Sequence, residues 1–169
     1  MNSVLFILGP QIIVGSSIGA WIMLLAALER PERINGLIGI AGAPDLLHQR
    51  YATLSSNEKD SITKQGFLLL PSDYSKEPYK IPIETIHEAS THLLLEKPVI
   101  PIDCPVRLIH GMDDATVPYT LSLTLAQKLR SHNLHVHLIK DGDHRMSTTE
   151  NLEFLANTLD CMIFESDKA

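Results

Sequence analysis

Three residues of types that together support acyl transfer occur in separate segments of the chain. Ser17 lies in the run Gly15 to Gly19, GSSIG, Asp114 follows His-Gly-Met-Asp, and His144 lies in the run DGDHR. A serine hydroxyl becomes a nucleophile when a histidine removes its proton and a carboxylate orients that histidine. The hypothesis is therefore covalent acyl chemistry on Ser17, with His144 as the base and Asp114 as the acid.

The segment around Ser17 matches the pattern G-x-S-x-G, whose central serine occupies a strained turn between a strand and a helix. Gln11 to Val14 is short and apolar, as in a buried strand, whereas Ile18 to Leu28 is long and rich in Ala, Leu and Met. We expect both glycines to be needed, because a Cβ would clash where the chain reverses. We also expect the Ile18 N–H, at the helix N-terminus, to donate to an oxyanion. In the alternative interpretation, these small residues only allow close packing.

Three aspartates compete for the role of the acid. Asp114 occupies the fifth position of H-G-x-x-D-x-x-V-P, where hydrolases of this kind usually carry it. Asp113 is its neighbour, and Asp45 follows the second predicted strand, a position from which some hydrolases supply the acid. The motif favours Asp114, and the other two remain alternatives.

The histidines have different predicted roles. His144 is favoured as the base because it lies in a loop after a strand near the end of the chain. His110 also follows a strand, but the His-Gly pair there is expected to shape the acid loop. His135 and His137 share one face of a predicted strand and could begin a metal site, yet no third ligand suggests itself.

No cofactor is predicted. A dinucleotide-binding loop of the form G-x-G-x-x-G would need a glycine at position 17, which is serine, and no Gly-Lys-Ser/Thr follows to make a phosphate-binding loop. The expected chemistry uses neither a metal nor an organic cofactor.

Apolar runs and helical patterns alternate in the order β-α-β-insert-β-α-β-α, which predicts a mostly parallel sheet wrapped by helices. The predicted strands are Gln11 to Val14, Leu37 to Ile40, Val106 to Ile109 and Val136 to Ile139, with helices at 18–28, 120–130 and 149–163. Asn35-Gly36 is expected to be the turn before the second strand. The candidate residues follow strands, in the order Ser, acid, His of the α/β-hydrolase fold. We therefore predict a partial α/β-hydrolase fold in one domain, 1–169.

An insert from 46 to 101 interrupts this alternation. It contains a polar helical pattern at 56–66, an apolar patch at 67–70, a Pro/Tyr/Ser loop up to Pro82, and a helical stretch at 83–95. Such an insert over the carboxyl ends of the strands is interpreted as a lid or substrate pocket. The alternative is that it only covers the sheet.

Composition narrows the classes of partner and compartment. The net charge of −6, without any basic stripe, argues against nucleic acid or an anionic membrane surface as a partner. No apolar run is long enough to span a membrane, and Met1 to Leu8 lacks the features of a signal peptide. Cys104 and Cys161 lie in apolar settings, so buried, reduced thiols are expected. These features predict a cytoplasmic protein, or a mitochondrial matrix protein if it is a eukaryotic homologue whose targeting segment is missing.

Four stretches resemble one subfamily of α/β-hydrolases: GPQIIVGSSIGAW, PSDY after Leu70, CPVRLIHGMDD with its following VP, and DGDHRMS. The subfamily contains the mitochondrial palmitoyl-protein thioesterases, which also act as mycophenolic acid acyl-glucuronide esterases, and bacterial serine hydrolases. The resemblance runs from about Gly9 to Ile163. It implies Ser17 as nucleophile, Asp114 as acid and His144 as base. The implied substrates are acyl esters or thioesters, including acylated proteins.

The chain departs from that subfamily in the position of Ser17, which members place much further along the sequence. The loop after an early strand, which supplies one of two oxyanion-hole N–H groups in the family, is therefore expected to be missing from an N-terminally truncated chain. Gln11 to Val14 is expected to form an exposed sheet edge, through which a homodimer could form. The rival hypothesis is a catalytically weak binding protein that uses this edge and lacks a complete oxyanion hole.

Overall fold

The computed structural model describes residues 9–71 and 76–166, so Ser72, Asp73 and Tyr74 of the PSDY segment lie outside the described residues. The chain divides into two compact units. The first unit contains the residues up to Pro44 and from Lys97 onward, and the second contains Asp45 to Glu96. The interpretation of the insert as a lid stays a prediction.

Strands and helices follow the predicted order. The strands are β1 (Gln11–Ser16), β2 (Ile34–Ile40), β3 (Phe67–Leu70), β4 (Tyr79–Pro82), β5 (Val106–Gly111) and β6 (Leu134–Ile139). The helices are α1 (Ile18–Glu29), α2 (Leu46–Ala52), α3 (Ser56–Gln65), α4 (Ile83–Ala89), α5 (Thr120–Lys128) and α6 (Thr149–Ser166). A short 3₁₀ turn, Pro31–Arg33, separates α1 from β2.

The first unit is built on a four-stranded parallel sheet in the order β1-β2-β5-β6. This confirms the predicted parallel sheet with helices between its strands. β5 is buried along its whole length, and the last five residues of β2 are buried, as expected for central strands covered on both faces. One core cluster joins Ile38 and Ile109 of these strands to Met146 and to Met162 of α6. The sheet therefore brings the loops after β1, β5 and β6 together at the carboxyl ends of its strands.

β1 lies at one end of the sheet, and β2 is its neighbour among the described strands. The predicted edge position of this strand is confirmed for the described residues. Val14 of β1 is 44% exposed and Ile22 of α1 is 60% exposed. The homodimer through this edge stays a prediction.

The predicted turn at Asn35-Gly36 is wrong, because both residues lie within β2. Gly36 pairs with Ile12 of β1, and an added Cβ on Gly36 would lie 2.5 Å from the terminal methyl of Met162. Ile34 and Gly36 pair with Gln11 and Ile12 of β1, which holds the Asn-Gly dipeptide extended between them, and the 3₁₀ turn lies before this strand instead.

The second unit contains α2, α3, α4 and an antiparallel pair, β3 with β4, around Ile62, Leu68, Ile83 and Ile86. The predicted helix at 56–66 is confirmed as α3, which begins with a capping box between Ser55 and Glu58. Part of the predicted loop up to Pro82 is instead strand β4.

The predicted helix at 83–95 is wrong beyond Ala89, where α4 ends. The backbone N–H groups of Leu94 and Leu95 donate to the buried carboxylate of Asp45, at 2.7 to 3.0 Å. These donors are therefore not available to continue a helix.

Both cysteines are free, and the expectation that both are buried is wrong. Cys104 is partly buried, and Cys161 is exposed on α6, where it lines an open cavity with His135 and His137 of β6. None of the described helices combines the length and apolar character that crossing a bilayer requires.

Candidate active site

Ser17 is the single residue between the end of β1 and the start of α1. Its backbone angles are φ 56° and ψ −123°, a conformation that non-glycine residues rarely adopt. Three backbone bonds hold it there: the Ser17 N–H donates to the Ile40 carbonyl at 2.8 Å, and the Ser17 carbonyl accepts from the N–H groups of Ala20 at 3.0 Å and Ala43 at 3.1 Å. The strained strand-to-helix turn predicted from the sequence is therefore present.

The two glycines of the turn have different requirements. A Cβ on Gly15 would lie 2.5 Å from the Gly19 carbonyl oxygen and 2.7 Å from the Cα of Ala20, so only glycine fits beside the helix. A Cβ on Gly19 would meet no described atom within 4 Å. The expectation that both glycines avoid a clash is confirmed for Gly15 and wrong for Gly19, whose Cα faces open space.

Ile18 is the first residue of α1. The N–H groups in the first turn of a helix have no acceptor within that helix, and the helix dipole makes this end attractive to negative charge. The Ile18 N–H therefore has the chemical character of an oxyanion donor. Its role in catalysis stays a prediction.

The His144 side chain lies within hydrogen-bond distance of both Ser17 and Asp114. His144 Nε2 is 3.1 Å from Ser17 Oγ, and His144 Nδ1 is 2.7 Å from Asp114 Oδ2. The Asp114 carboxylate is fully buried and the His144 side chain is 13% exposed. Since the carboxylate accepts from Nδ1–H, Nε2 is left with the lone pair that can accept the Ser17 hydroxyl proton.

Four donors surround the Asp114 carboxylate. Oδ1 accepts from the backbone N–H groups of Thr116 and Val117, both at 2.8 Å. Oδ2 lies 2.7 Å from His144 Nδ1 and 3.1 Å from His110 Nε2. A carboxylate offers about four acceptor positions, so Asp114 is saturated and held in a single orientation.

The two alternative acids have surroundings different from those of Asp114. Asp113 is exposed next to Asp114, and its backbone N–H donates to the Gly142 carbonyl. Asp45 is buried in the second unit, where its carboxylate accepts the N–H groups of Leu94 and Leu95. Neither carboxylate contacts His144 through a described hydrogen bond, whereas Asp114 does.

The acid loop and the histidine loop are joined by backbone contacts. Asp113 N–H donates to the Gly142 carbonyl at 3.0 Å, and Met112 N–H donates to the Ile139 carbonyl at 2.8 Å. Met146, with φ 51°, is buried beneath the histidine loop, and its N–H donates to Asp143 Oδ1. These bonds fix the separation between Asp114 and His144.

The His135 and His137 rings lie on one face of β6, with centroids 6.3 Å apart. His137 packs edge-on against Phe154, at 5.1 Å between centroids. Burial, His135 and Arg107 together lower the pKa of His137 below its ordinary value. Within the described part of the chain, no group of three His, Cys, Asp or Glu side chains could hold a metal ion.

A comparison of the sequence with known protein families matches residues 11–160, from β1 into α6, to the prolyl oligopeptidase family. The chain belongs to the prolyl oligopeptidase family. This match covers all three residues of the candidate triad.

A mouse protein named mitochondrial palmitoyl-protein thioesterase ABHD10 is 47% identical to this family member over 156 residues. The alignment covers 92% of this chain and 52% of the mouse protein. The chain thus spans about half the length of the curated relatives it matches. The similarity confirms the resemblance to this thioesterase subfamily.

Solved structures confirm the α/β-hydrolase fold. The structure of mouse α/β-hydrolase domain-containing protein 10 matches with a TM-score of 0.85 and 45% identity, over 97% of this chain and 65% of that one. A putative hydrolase from Agrobacterium vitis S4 matches with a TM-score of 0.83 and 30% identity, over 90% and 60% of the two chains.

Proposed function

We propose that the protein hydrolyses acyl esters or thioesters through an acyl-enzyme intermediate on Ser17. The observation that carries this proposal is the position of His144, whose two ring nitrogens contact Ser17 Oγ at 3.1 Å and Asp114 Oδ2 at 2.7 Å. The strained backbone of Ser17 at the N-terminus of α1 supports the same assignment.

In the proposed first step, Ser17 Oγ attacks the acyl carbonyl carbon while His144 Nε2 accepts the hydroxyl proton. The carbonyl oxygen becomes an oxyanion, to which the Ile18 N–H donates. The intermediate collapses by breaking the bond to the leaving group, which takes the proton from His144 and departs as an alcohol or thiol. Asp114 stabilises the imidazolium that exists between these proton transfers.

The second step uses water. His144 Nε2 removes a proton from a water molecule that attacks the acyl carbon, and the tetrahedral intermediate expels Ser17 Oγ. The proton then passes from His144 to Ser17, and the carboxylic acid leaves. These two reaction steps need no metal or organic cofactor, because the nucleophile, the base and the oxyanion donor all belong to the chain.

The substrate class is proposed from the relatives. The mouse relative is named a palmitoyl-protein thioesterase, which supports an acyl thioester, free or carried on a protein, as the substrate. An ester would undergo the same steps with an alcohol as the leaving group. The relative's name also includes the word mitochondrial, which supports mitochondria rather than the cytoplasm as the compartment of this chain. Cell fractionation tests that point.

Pre-steady-state kinetics with a short-chain p-nitrophenyl ester test the acyl-enzyme directly. We expect a burst of p-nitrophenol equal to the concentration of active protein, followed by slower turnover. Ser17→Ala should abolish the burst, whereas Ser16→Ala, which changes the neighbouring hydroxyl, should retain it. A burst that survives in Ser17→Ala and disappears in Ser16→Ala would show that Ser16 is the nucleophile and would contradict the proposal.

A second candidate is a catalytically weak hydrolase-fold protein that binds acyl ligands or a partner chain. It is favoured by the exposed side chains of Val14 and Ile22 beside the strand that ends the described sheet. This candidate predicts folded protein that binds a fatty acyl probe without releasing product. Hydrolysis that depends on Ser17 would exclude it.

A further inference from the structure

His110 is a second histidine on the Asp114 carboxylate. It is fully buried at the end of β5 and makes three side-chain contacts. Nε2 lies 3.1 Å from Asp114 Oδ2 and 3.0 Å from the Val117 carbonyl oxygen, while Nδ1 lies 2.7 Å from Ser122 Oγ of α5.

These partners determine where the His110 ring carries its proton. Both partners of Nε2 are acceptors, so Nε2 must be the N–H donor. In the neutral ring, Nδ1 then has a lone pair, and the Ser122 hydroxyl donates to it. The other neutral tautomer would place an Nε2 lone pair against two oxygen acceptors, which is unfavourable in a buried site.

The surroundings of His110 also favour the neutral ring. Burial lowers the pKa of His110 and nearby His144 lowers it further, while the Val117 carbonyl and the Asp114 carboxylate oppose the shift. A neutral His110 donates to Asp114 without adding a positive charge beside it. The imidazolium of His144 is then the cation that pairs with Asp114 during the proposed reaction.

We propose that His110 and Ser122 form a positioning pair that fixes Asp114 in the orientation needed to hold His144. Ser122 selects the Nε2–H tautomer of His110, and His110 Nε2–H occupies the acceptor position on Oδ2 that His144 does not use. This inference goes beyond the proposed function but rests on it for its kinetic consequence. Its structural content, the coupling of His110 to His144 through one carboxylate oxygen, holds whatever the substrate.

Two substitutions of His110 distinguish the contribution of Nε2 from that of Nδ1. In His110→Gln the terminal amide reaches about as far from Cα as Nε2, so a donor to Asp114 can remain. In His110→Asn the amide reaches only about as far as Nδ1, so it can keep Ser122 as a partner but not Asp114. Ser122→Ala removes the tautomer-selecting hydroxyl alone.

Ser131→Ala is the matched control for Ser122→Ala. Ser131 is also a buried serine of the first unit, but its hydroxyl has no hydrogen-bond partner among the described residues. Removing a hydroxyl without a partner should leave both turnover and the histidine signals unchanged.

The first measurement is kcat and KM for a short-chain acyl thioester in the 169-residue chain. We expect His110→Asn to lower kcat by about 10- to 100-fold, the range that applies to outer partners of metal-bound histidines, with KM changed by less than about threefold. Ser122→Ala should lower kcat by a smaller factor, and His110→Gln should recover most of the loss. Equal kcat values in His110→Asn and the unmodified protein would overturn the proposal.

The second measurement is independent of turnover. In ¹⁵N-histidine NMR of the unmodified protein at neutral pH, we expect His110 as the neutral Nε2–H tautomer and a slowly exchanging Nδ1–H proton on His144. His110→Asn should speed exchange of that His144 proton, and Ser131→Ala should not. A cationic or Nδ1–H form of His110 would overturn the proposal, even if His110→Asn failed to fold.

The two measurements separate failure of the inference from failure of the proposed function. If the unmodified protein shows no turnover, but His110→Asn still speeds exchange of the His144 proton, the hydrolase function is rejected and the positioning pair is supported. If the unmodified protein turns over, and His110→Asn changes neither kcat nor the exchange rate of the His144 proton, the hydrolase function is retained and the positioning pair is rejected.

Discussion

Gly111 and Gly142 face each other so closely that a Cβ on Gly111 would lie 2.1 Å from the Gly142 carbonyl oxygen. Gly111 ends β5 just before the acid loop, and Gly142 lies two residues before His144. Their contact sets the distance between the loop that carries Asp114 and the loop that carries His144. The geometry of the candidate triad therefore depends on two residues that have no reactive group.

Gly111→Ala should separate these loops and lower kcat/KM strongly, because the neighbouring atoms are backbone and cannot rotate away. We expect a loss of at least about 100-fold, since a misplacement of about 1 Å is enough for such a loss. Kinetics and thermal unfolding measure the two consequences. Gly19→Ala is the comparison for stability: the methyl enters open space in a helix, so it should raise the free energy of unfolding by about 0.5 to 1 kcal/mol. A fully active Gly111→Ala would show that the loops tolerate the shift.

Asp114→Asn should lower kcat by about 10⁴-fold, the loss seen when the acid of such a triad becomes an amide. The reason lies in its partners, all of which are donors. An amide nitrogen at Oδ1 would face two backbone N–H groups, so it is expected at Oδ2, where it forces His144 into the wrong tautomer. Steady-state kinetics measure the loss. Asp113→Asn, which changes an exposed side chain, should have little effect, and the opposite ranking would assign the acid to Asp113.

Asp45→Asn should act on stability within the second unit. The buried Asp45 carboxylate accepts N–H bonds from Leu94 on both oxygens and from Leu95 on one, so an amide nitrogen would oppose at least one donor. A buried group left unsatisfied costs about 1 to 3 kcal/mol. Urea unfolding should show this loss, and hydrogen exchange should show faster exchange of the Leu94 and Leu95 amides. Unchanged exchange at both amides would contradict the assigned bonds.

Acidification should destabilise the protein through His110. Its pKa is lowered from the ordinary value of 6.5 in the folded state, mainly by burial. As pH falls below about 6.5, the unfolded chain takes up a proton that folded His110 does not, so the free energy of unfolding decreases. The lowered pKa of His137 acts in the same direction. Tm should therefore fall between pH 7 and pH 5, and His110→Gln should reduce the slope. A slope that is unchanged in His110→Gln would assign the effect to other groups.

Local patterns predicted the parts of the site that local chemistry determines. The strand, turn and helix around Ser17 follow from a short apolar run, a glycine that cannot carry a Cβ, and a helix-forming segment. The motif that places Asp114 includes Val117, whose N–H binds the carboxylate, so the choice over Asp113 has a physical basis.

Contacts between distant residues account for what the sequence did not predict. Asn35-Gly36 is extended because the flanking pairs Ile34–Gln11 and Gly36–Ile12 join β2 to β1, and Asp45 binds Leu94 and Leu95 in the segment where a helix was predicted. Ser122 gave no sequence signal, because its importance comes from meeting His110 across space. Pattern rules describe a residue and its neighbours in sequence, and these three features depend on partners elsewhere in the fold.

Fluorophosphonate labelling followed by peptide mapping tests the central claim most directly. The account predicts one phosphonylated residue, Ser17, in the folded 169-residue protein, because Ser17 Oγ lies 3.1 Å from His144 Nε2. Labelling should be lost in Ser17→Ala, retained in Ser16→Ala, and slowed by orders of magnitude in His144→Ala. Labelling of another serine, or equal rates with and without His144, would contradict the proposed triad.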